Sequence, residues 1–305
     1  MRTGKMRTDM SHKRIFTVPY LKRGTTGIIF PDNHNRRTGE QMIQIATFLA
    51  QVRKASAQKG WSLEETCRKV KTLGYDAVCC EAVCYDDEIH DLLKRIGLKV
   101  SMLYSFIDFS KPEEIVGEKI DALYHAAERS GANCVMPIPD EDHSSPEKLA
   151  ESLERNFRGM NRIAGIMEPA GIPMVLEEFN AANKSYRTCK GLQRYLDAVP
   201  YLQVCLDTGN FSSEEDELMS ATERFLPLIK HCHLKDHTAD CEFGNARDCP
   251  LGYGRLPMKQ FVARMVRSGY DLPMTIEHFD AFDQWSALTV SCQNLRNWLE
   301  EHQIR

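Results

Sequence analysis

Four residues with side chains that bind hard divalent cations each end a short apolar run: Glu177 after PMVL, Asp207 after LQVCL, His233 after LIKHC and Glu277 after LPMTI. Three carboxylates and one imidazole make an oxygen-rich donor set, suited to Mn²⁺, Mg²⁺, Co²⁺ or Zn²⁺ rather than to copper or an iron–sulfur cluster. A structural zinc site would favour thiolates, and this set has none. One divalent ion, with Mn²⁺ the leading choice, is the expected cofactor.

Residues this far apart in sequence meet only if the runs that carry them are strands whose ends share a rim. In a strand, residues i and i+2 lie on one face. Leu202, Val204 and Leu206 form an apolar face, which leaves Gln203, Cys205 and Asp207 on the other. The same division puts Val175 and Glu177 opposite Met174 and Leu176; His231, His233 and Lys235 opposite Cys232 and Leu234; and Thr275 and Glu277 opposite Met274 and Ile276. All four candidate ligands thus share one phase, which selects Glu177 over its neighbour Glu178.

These runs belong to a longer pattern. Apolar segments at 43–50, 76–81, 98–104, 133–138, 173–179, 202–207, 228–234 and 272–277 read as strands and alternate with amphipathic stretches. Ser62, with Glu65 three residues on, is a helix start, and Gly74 is the matching stop. Helices are also expected over 113–130, 147–170 and 257–268. The phrase helix, Gly, one or two residues, strand recurs as LGYDAV, IGLKVS, SGANCV, AGIPMV and SGYDLP, where glycine would take positive φ. Eight such units predict an α/β fold, a (β/α)₈ TIM barrel over residues 43–305 with its active site at the C-terminal strand ends. A doubly wound open sheet is the competing reading, but no GxGxxG or Walker A motif is present. Residues 1–42 precede the first strand as a basic N-terminal extension.

Other residues at the same rim are candidates for substrate contact. His231 is in phase with His233 and could bind a hydroxyl, or be a hydrogen-bonded interior histidine. Lys235 could orient an oxyanion or form an ion pair with Glu277. Arg247 and Arg255, in the long loop after 228–234, could reach a phosphate or carboxylate, although most loop arginines are simply solvated. His143, in PDEDHSS, and Glu81, ending 76–81, face the same mouth.

The motifs VLEEFN (175–180), LDTGN (206–210), HCHLKD (231–236), PLGYGR (250–255) and TIEH (275–278) resemble those of the xylose isomerase-like TIM-barrel superfamily of sugar phosphate isomerases/epimerases. D-tagatose 3-epimerase and inosose dehydratase belong to it, and endonuclease IV is a distant relative. The resemblance covers about residues 43–300. It implies a divalent metal held by Glu177, Asp207, His233 and Glu277. It also implies removal of a proton next to a carbonyl, through an enediolate, with Glu177 and Glu277 as proton acceptor and donor. The substrate class is a ketose, sugar phosphate or related polyol, handled by an isomerase or epimerase. A lyase on the same scaffold, an inosose-type dehydratase or keto-sugar deglycosidase, is the alternative, and a non-catalytic barrel subunit is a third. Many epimerases of the family carry a substrate-contacting His three residues after the Asp. Here that position is Asn210, whose amide can hydrogen-bond a hydroxyl but cannot titrate near neutral pH.

The composition excludes several classes. In 305 residues, 42% hydrophobic and 27% charged, the net charge is −4. Residues 1–37 hold nine basic and two acidic residues, so the remainder carries 30 basic and 41 acidic. An acidic body argues against a nucleic-acid binder. The basic segment reads as a solvated terminus or as an arm in a homo-oligomer. No apolar run is long enough for a membrane span or signal peptide. The 11 cysteines, several within apolar runs, suit a reducing compartment, so a cytoplasmic location is expected.

Overall fold

The computed structural model describes residues 43–179, 183–210, 217–238 and 248–303; the expectations for residues 1–42 and for Arg247 lie outside these. Eight parallel strands close into a barrel in the order β1-β10-β7-β6-β5-β4-β3-β2. They are β1 (Ile45–Phe48), β2 (Ala77–Glu81), β3 (Lys99–Ile107), β4 (Cys134–Pro139), β5 (Met174–Glu177), β6 (Leu202–Asp207), β7 (Ile229–Leu234) and β10 (Met274–Ile276). Two short strands, β8 (Asp236–His237) and β9 (Asp248–Cys249), form an antiparallel pair after β7.

The expected units are all present. Helices follow the strands: α1 (Leu49–Lys59), α2 (Leu63–Leu73), α3 (Asp87–Ile96), α4 (Glu113–Ser130), α5 (Pro146–Met167), α6 (Cys189–Ala198), α7 (Leu218–Phe225), α8 (Met258–Arg267) and α9 (Gln284–Gln303). Ser62 caps α2 by accepting from Glu65 N at 3.1 Å. Gly74, Gly97, Gly131, Gly171 and Gly269, the glycines of the recurring phrase, all have positive φ. At Gly74 the turn also brings in Arg296, which donates to the glycine carbonyl at 2.7 Å and occupies the place a Cβ would need. One boundary differs from the sequence pattern. The run 43–50 is strand only to Phe48, and Leu49 already opens α1 with no break in apolar character.

Side chains sort into two layers. Met174, Leu176, Leu202, Val204, Leu206, Cys232, Leu234, Met274 and Ile276 pack in the outer core against the helices. The lumen is filled by Phe48, Cys79, Met102, Cys134, Met136, Ile138, Val175 and Cys205. The strand phases read from the sequence are the observed ones. Among the described residues no helix is long and apolar enough to cross a membrane.

Candidate functional site

The register of the closed barrel brings the candidate ligands together. Asp207 is paired with His233 between β6 and β7, Glu177 with Cys205 between β5 and β6, and Thr275 with His233 between β10 and β7. One ligand atom from each of Glu177, Asp207, His233 and Glu277 lies within 4.8 Å of the other three, and all four residues are buried. His233 Nδ1 is 3.0 Å from Glu177 Oε2 and 3.4 Å from Glu277 Oε2. Lys235 Nζ is 2.6 Å from Glu277 Oε1 and 3.1 Å from Asp207 Oδ2.

The surroundings orient these groups. Asp207 Oδ1 accepts the backbone N–H of Gly209 (2.7 Å) and of Asn210 (3.0 Å), while its buried Oδ2 faces the Lys235 ammonium. Asn210 Nδ2 donates to Glu177 Oε1 and to the Glu178 carbonyl, both at 2.7 Å, and its Oδ1 accepts from Lys235 at 3.4 Å. The amide therefore faces Glu177, and Asn210 holds that carboxylate in place. Phe48 closes one side, its ring centroid 5.0 Å from those of His233 and Phe279.

Burial governs the electrostatics. It pushes Glu177 up to about 7, with His233 opposing the rise. Burial also raises Glu277, against the pull of Lys235. Burial alone would lower Lys235, but Asp207 and Glu277 more than offset it and the ammonium keeps its charge. Burial would lower His233 too, but Cys205 and Glu177 hold it well above 6.5, so the three carboxylates, when ionised, outnumber two buried cations and leave a negative excess that a divalent ion would neutralise. That excess and the hard donor set fit such an ion.

The other candidates are distributed differently. His231 is fully buried one layer below His233, bonded through Nε2 to Thr275 Oγ1 at 2.8 Å. Burial, reinforced by His233, holds its pKa well below 6.5, so it is a neutral interior histidine. His143 turns away from the cluster, its Nε2 2.9 Å from Glu141 Oε2, because the buried Glu141 collects Ser185, Tyr195 and this ring. It lines a separate polar cavity with Asp108, Asp140 and Arg155. Arg255 is exposed on the loop before α8. Glu81 is half-buried at the rim, in register with Tyr104.

Sequence reasoning passed over Asp236. Its carboxylate accepts four backbone N–H groups, those of His237 (3.0 Å), Gly252 (2.9 Å), Gly254 (3.0 Å) and Leu256 (3.2 Å). It thereby folds the PLGYGR loop back onto the end of β7. A Cβ on Gly254 would meet Asp236 Oδ1 at 2.1 Å, so the loop can wrap this carboxylate only with glycine at 254. His278 is likewise a structural residue, its Nδ1 2.8 Å from the Gln51 amide oxygen and 2.7 Å from Gln284 Nε2.

A closed parallel (β/α)₈ barrel with a buried carboxylate–histidine cluster at its C-terminal rim defines the class of protein. The profile of one family, described as xylose isomerase-like TIM barrel, matches residues 67–301, and the chain belongs to that family. No curated protein matches the sequence. Among solved structures, the 3-keto-D-glucoside 4-epimerase of E. coli superposes with a TM-score of 0.65 at 19% identity, covering 84% of this chain and 99% of its own. A D-allulose 3-epimerase from Methylomonas sp. gives 0.66 at 17% identity, covering 85% and 98%. A probable 3-DHS dehydratase from Bacillus anthracis gives 0.67 at 13% identity, covering 84% and 99%. At such identities the likeness is one of fold.

Proposed function

We propose that the chain is a divalent-metal-dependent isomerase or epimerase acting on a ketose, sugar phosphate or related polyol, with Glu177 and Glu277 exchanging the substrate proton. The observation that carries this reading is the convergence of Glu177, Asp207, His233 and Glu277 from four adjacent strands into one buried cluster. Glu177, Asp207, His233 and Glu277 would hold the ion. When bound, such an ion supplies Lewis-acid stabilisation to a carbonyl and its neighbouring hydroxyl.

The protein's own groups account for the proton movements. Glu177 and Glu277 are the two carboxylates placed to accept and return the substrate proton by general acid–base catalysis. Asn210 fixes Glu177 Oε1, leaving the carboxylate one defined orientation. Glu277 lies across the cluster on β10's end, where Lys235 holds Oε1. A carbon presented between the two carboxylates can lose its proton to one and regain it from the other. Return to the same carbon from the opposite face is epimerisation; return to the neighbouring carbon is isomerisation.

The test is incubation of the Mn²⁺-loaded protein with a panel of ketoses, ketose phosphates and polyol-derived ketones in D₂O. Deuterium should appear beside the carbonyl without loss of water, and Glu177→Gln should slow its appearance by roughly 10²–10⁴-fold. An enone or diketone product would transfer the chain to the lyase class, and no exchange with any member of the panel would overturn the reading.

A further inference from the structure

One layer below the carboxylate cluster, the lumen changes chemical character. Thr275, His231, Cys205 and Val175 stand two residues before Glu277, His233, Asp207 and Glu177 on the same strands, and Cys79 of β2 completes the ring. One nitrogen from each of His231 and His233 and the sulfur of Cys79 lie within 4.8 Å of one another, all fully buried. Cys79 Sγ is 3.6 Å from His231 Nε2, 3.2 Å from Ser101 Oγ and 3.1 Å from Thr275 Oγ1.

One imidazole nitrogen at this level is left over. His233 turns Nδ1 to the carboxylates, while its Nε2 has no hydrogen-bond partner among the described residues; His231 presents Nε2 to the Cys79 sulfur and shares it with the Thr275 hydroxyl. Buried polar atoms are almost always satisfied, so such a nitrogen in a cluster with a thiol and a second imidazole points to a ligand. Sulfur and imidazole select soft or borderline ions of the d¹⁰ type, unlike the oxygen donors above them.

We propose that Cys79, His231 and His233 form a second metal site in the barrel floor, specific for a thiophilic d¹⁰ cation such as Zn²⁺, Cu⁺ or Cd²⁺. On binding, the Cys79 thiol releases its proton to solvent and the thiolate bonds the ion, with the Ser101 and Thr275 hydroxyls placed to donate to the sulfur. His233 borders both sites. A neutral imidazole has one free lone pair, so filling the floor weakens binding at the carboxylates, and the reverse by the same factor. This antagonism, unlike the floor site itself, rests on the carboxylate cluster holding an ion.

The full chain, freed of metal and carrying Cys84→Ser to remove the thiol exposed among the described residues, is titrated with Cd²⁺. One equivalent should bind with a thiolate-to-cadmium charge-transfer band, and X-ray absorption should find one sulfur and two nitrogens around the cadmium. Cys79→Ser should lose the band and bind at least tenfold more weakly while keeping the wild-type circular dichroism; Asp207→Ala should keep the band. An all-oxygen shell in the wild type, or a band unchanged by Cys79→Ser, would overturn the site. A sulfur-containing cadmium shell in a protein that never takes up Mn²⁺ would retain the floor site and sink the functional reading instead.

Discussion

Asn210 shows how much of the site is arranged by residues that hold other side chains in place. Its amide reaches Glu177, the Glu178 carbonyl and Lys235, and its own backbone N–H is fixed by Asp207, so one side chain ties three of the polar groups together. Groups that orient a metal-binding carboxylate commonly contribute 10–100-fold in affinity. Asn210→Ala should therefore weaken Mn²⁺ binding by roughly 10–100-fold, read by calorimetric titration. Unchanged affinity would mean that Glu177 is oriented by His233 alone. The residue types at 177, 207, 233 and 277 were legible in the sequence because strand phase and position at a strand end are both local properties. The partners of Asn210, the burial of His231 and the turn of His143 towards Glu141 were not. Each depends on contacts across the barrel that no spacing encodes.

At the scale of elements, the connection after β7 is stabilised from a single carboxylate. Asp236→Ala would remove the acceptor of four part-buried backbone N–H groups, and hydrogen bonds to a charged group are worth about 1.5–3 kcal/mol each. The variant should lose about 3 kcal/mol or more of unfolding free energy, measured by chemical denaturation. Gly254→Ala, which pushes a methyl group into the same carboxylate, should behave similarly. A second element-scale feature is the seam where β10 meets β1. There Gln51 of α1 donates to the Ile276 carbonyl and accepts from His278. Burial lowers the His278 pKa from 6.5 to about 4, so as the pH falls the unfolded chain binds the proton first. The contribution of this ring to stability is complete above about pH 6.5 and is lost on descent to about pH 4, by about 3 kcal/mol at most. Denaturation midpoints between pH 7 and pH 4 should fall less steeply for His278→Asn than for the wild type. Parallel slopes would show that His278 takes up its proton equally well in both states. The seam illustrates the limit of sequence reading at this scale. The eight strands and five turn glycines follow from periodicity, whereas the early end of β1 at Phe48 does not, because apolar residues continue unbroken into α1.

For the molecule as a whole, the barrel is a rigid frame whose lumen is apolar and thiol-rich below and anionic above. The buried negative charge at the rim is a cost in the metal-free fold that cation binding would offset. Folding and binding are therefore linked: Mn²⁺ at 100 times its dissociation constant should add about 2.7 kcal/mol of stability, seen as a higher melting temperature in the wild type and no shift in Asp207→Ala. Fold class was the most legible property of the sequence, since the alternation of strands and helices with glycine punctuation is repeated often enough to exclude the open-sheet alternative. The substrate was the least legible, because it depends on loop side chains such as Arg255 whose positions follow from the loop fold. The most direct test of the central claim is the metal content of the purified full-length protein by elemental analysis. About one divalent ion per wild-type chain, lost on Asp207→Ala, is the predicted result; a wild type that is free of metal and fully active would contradict it.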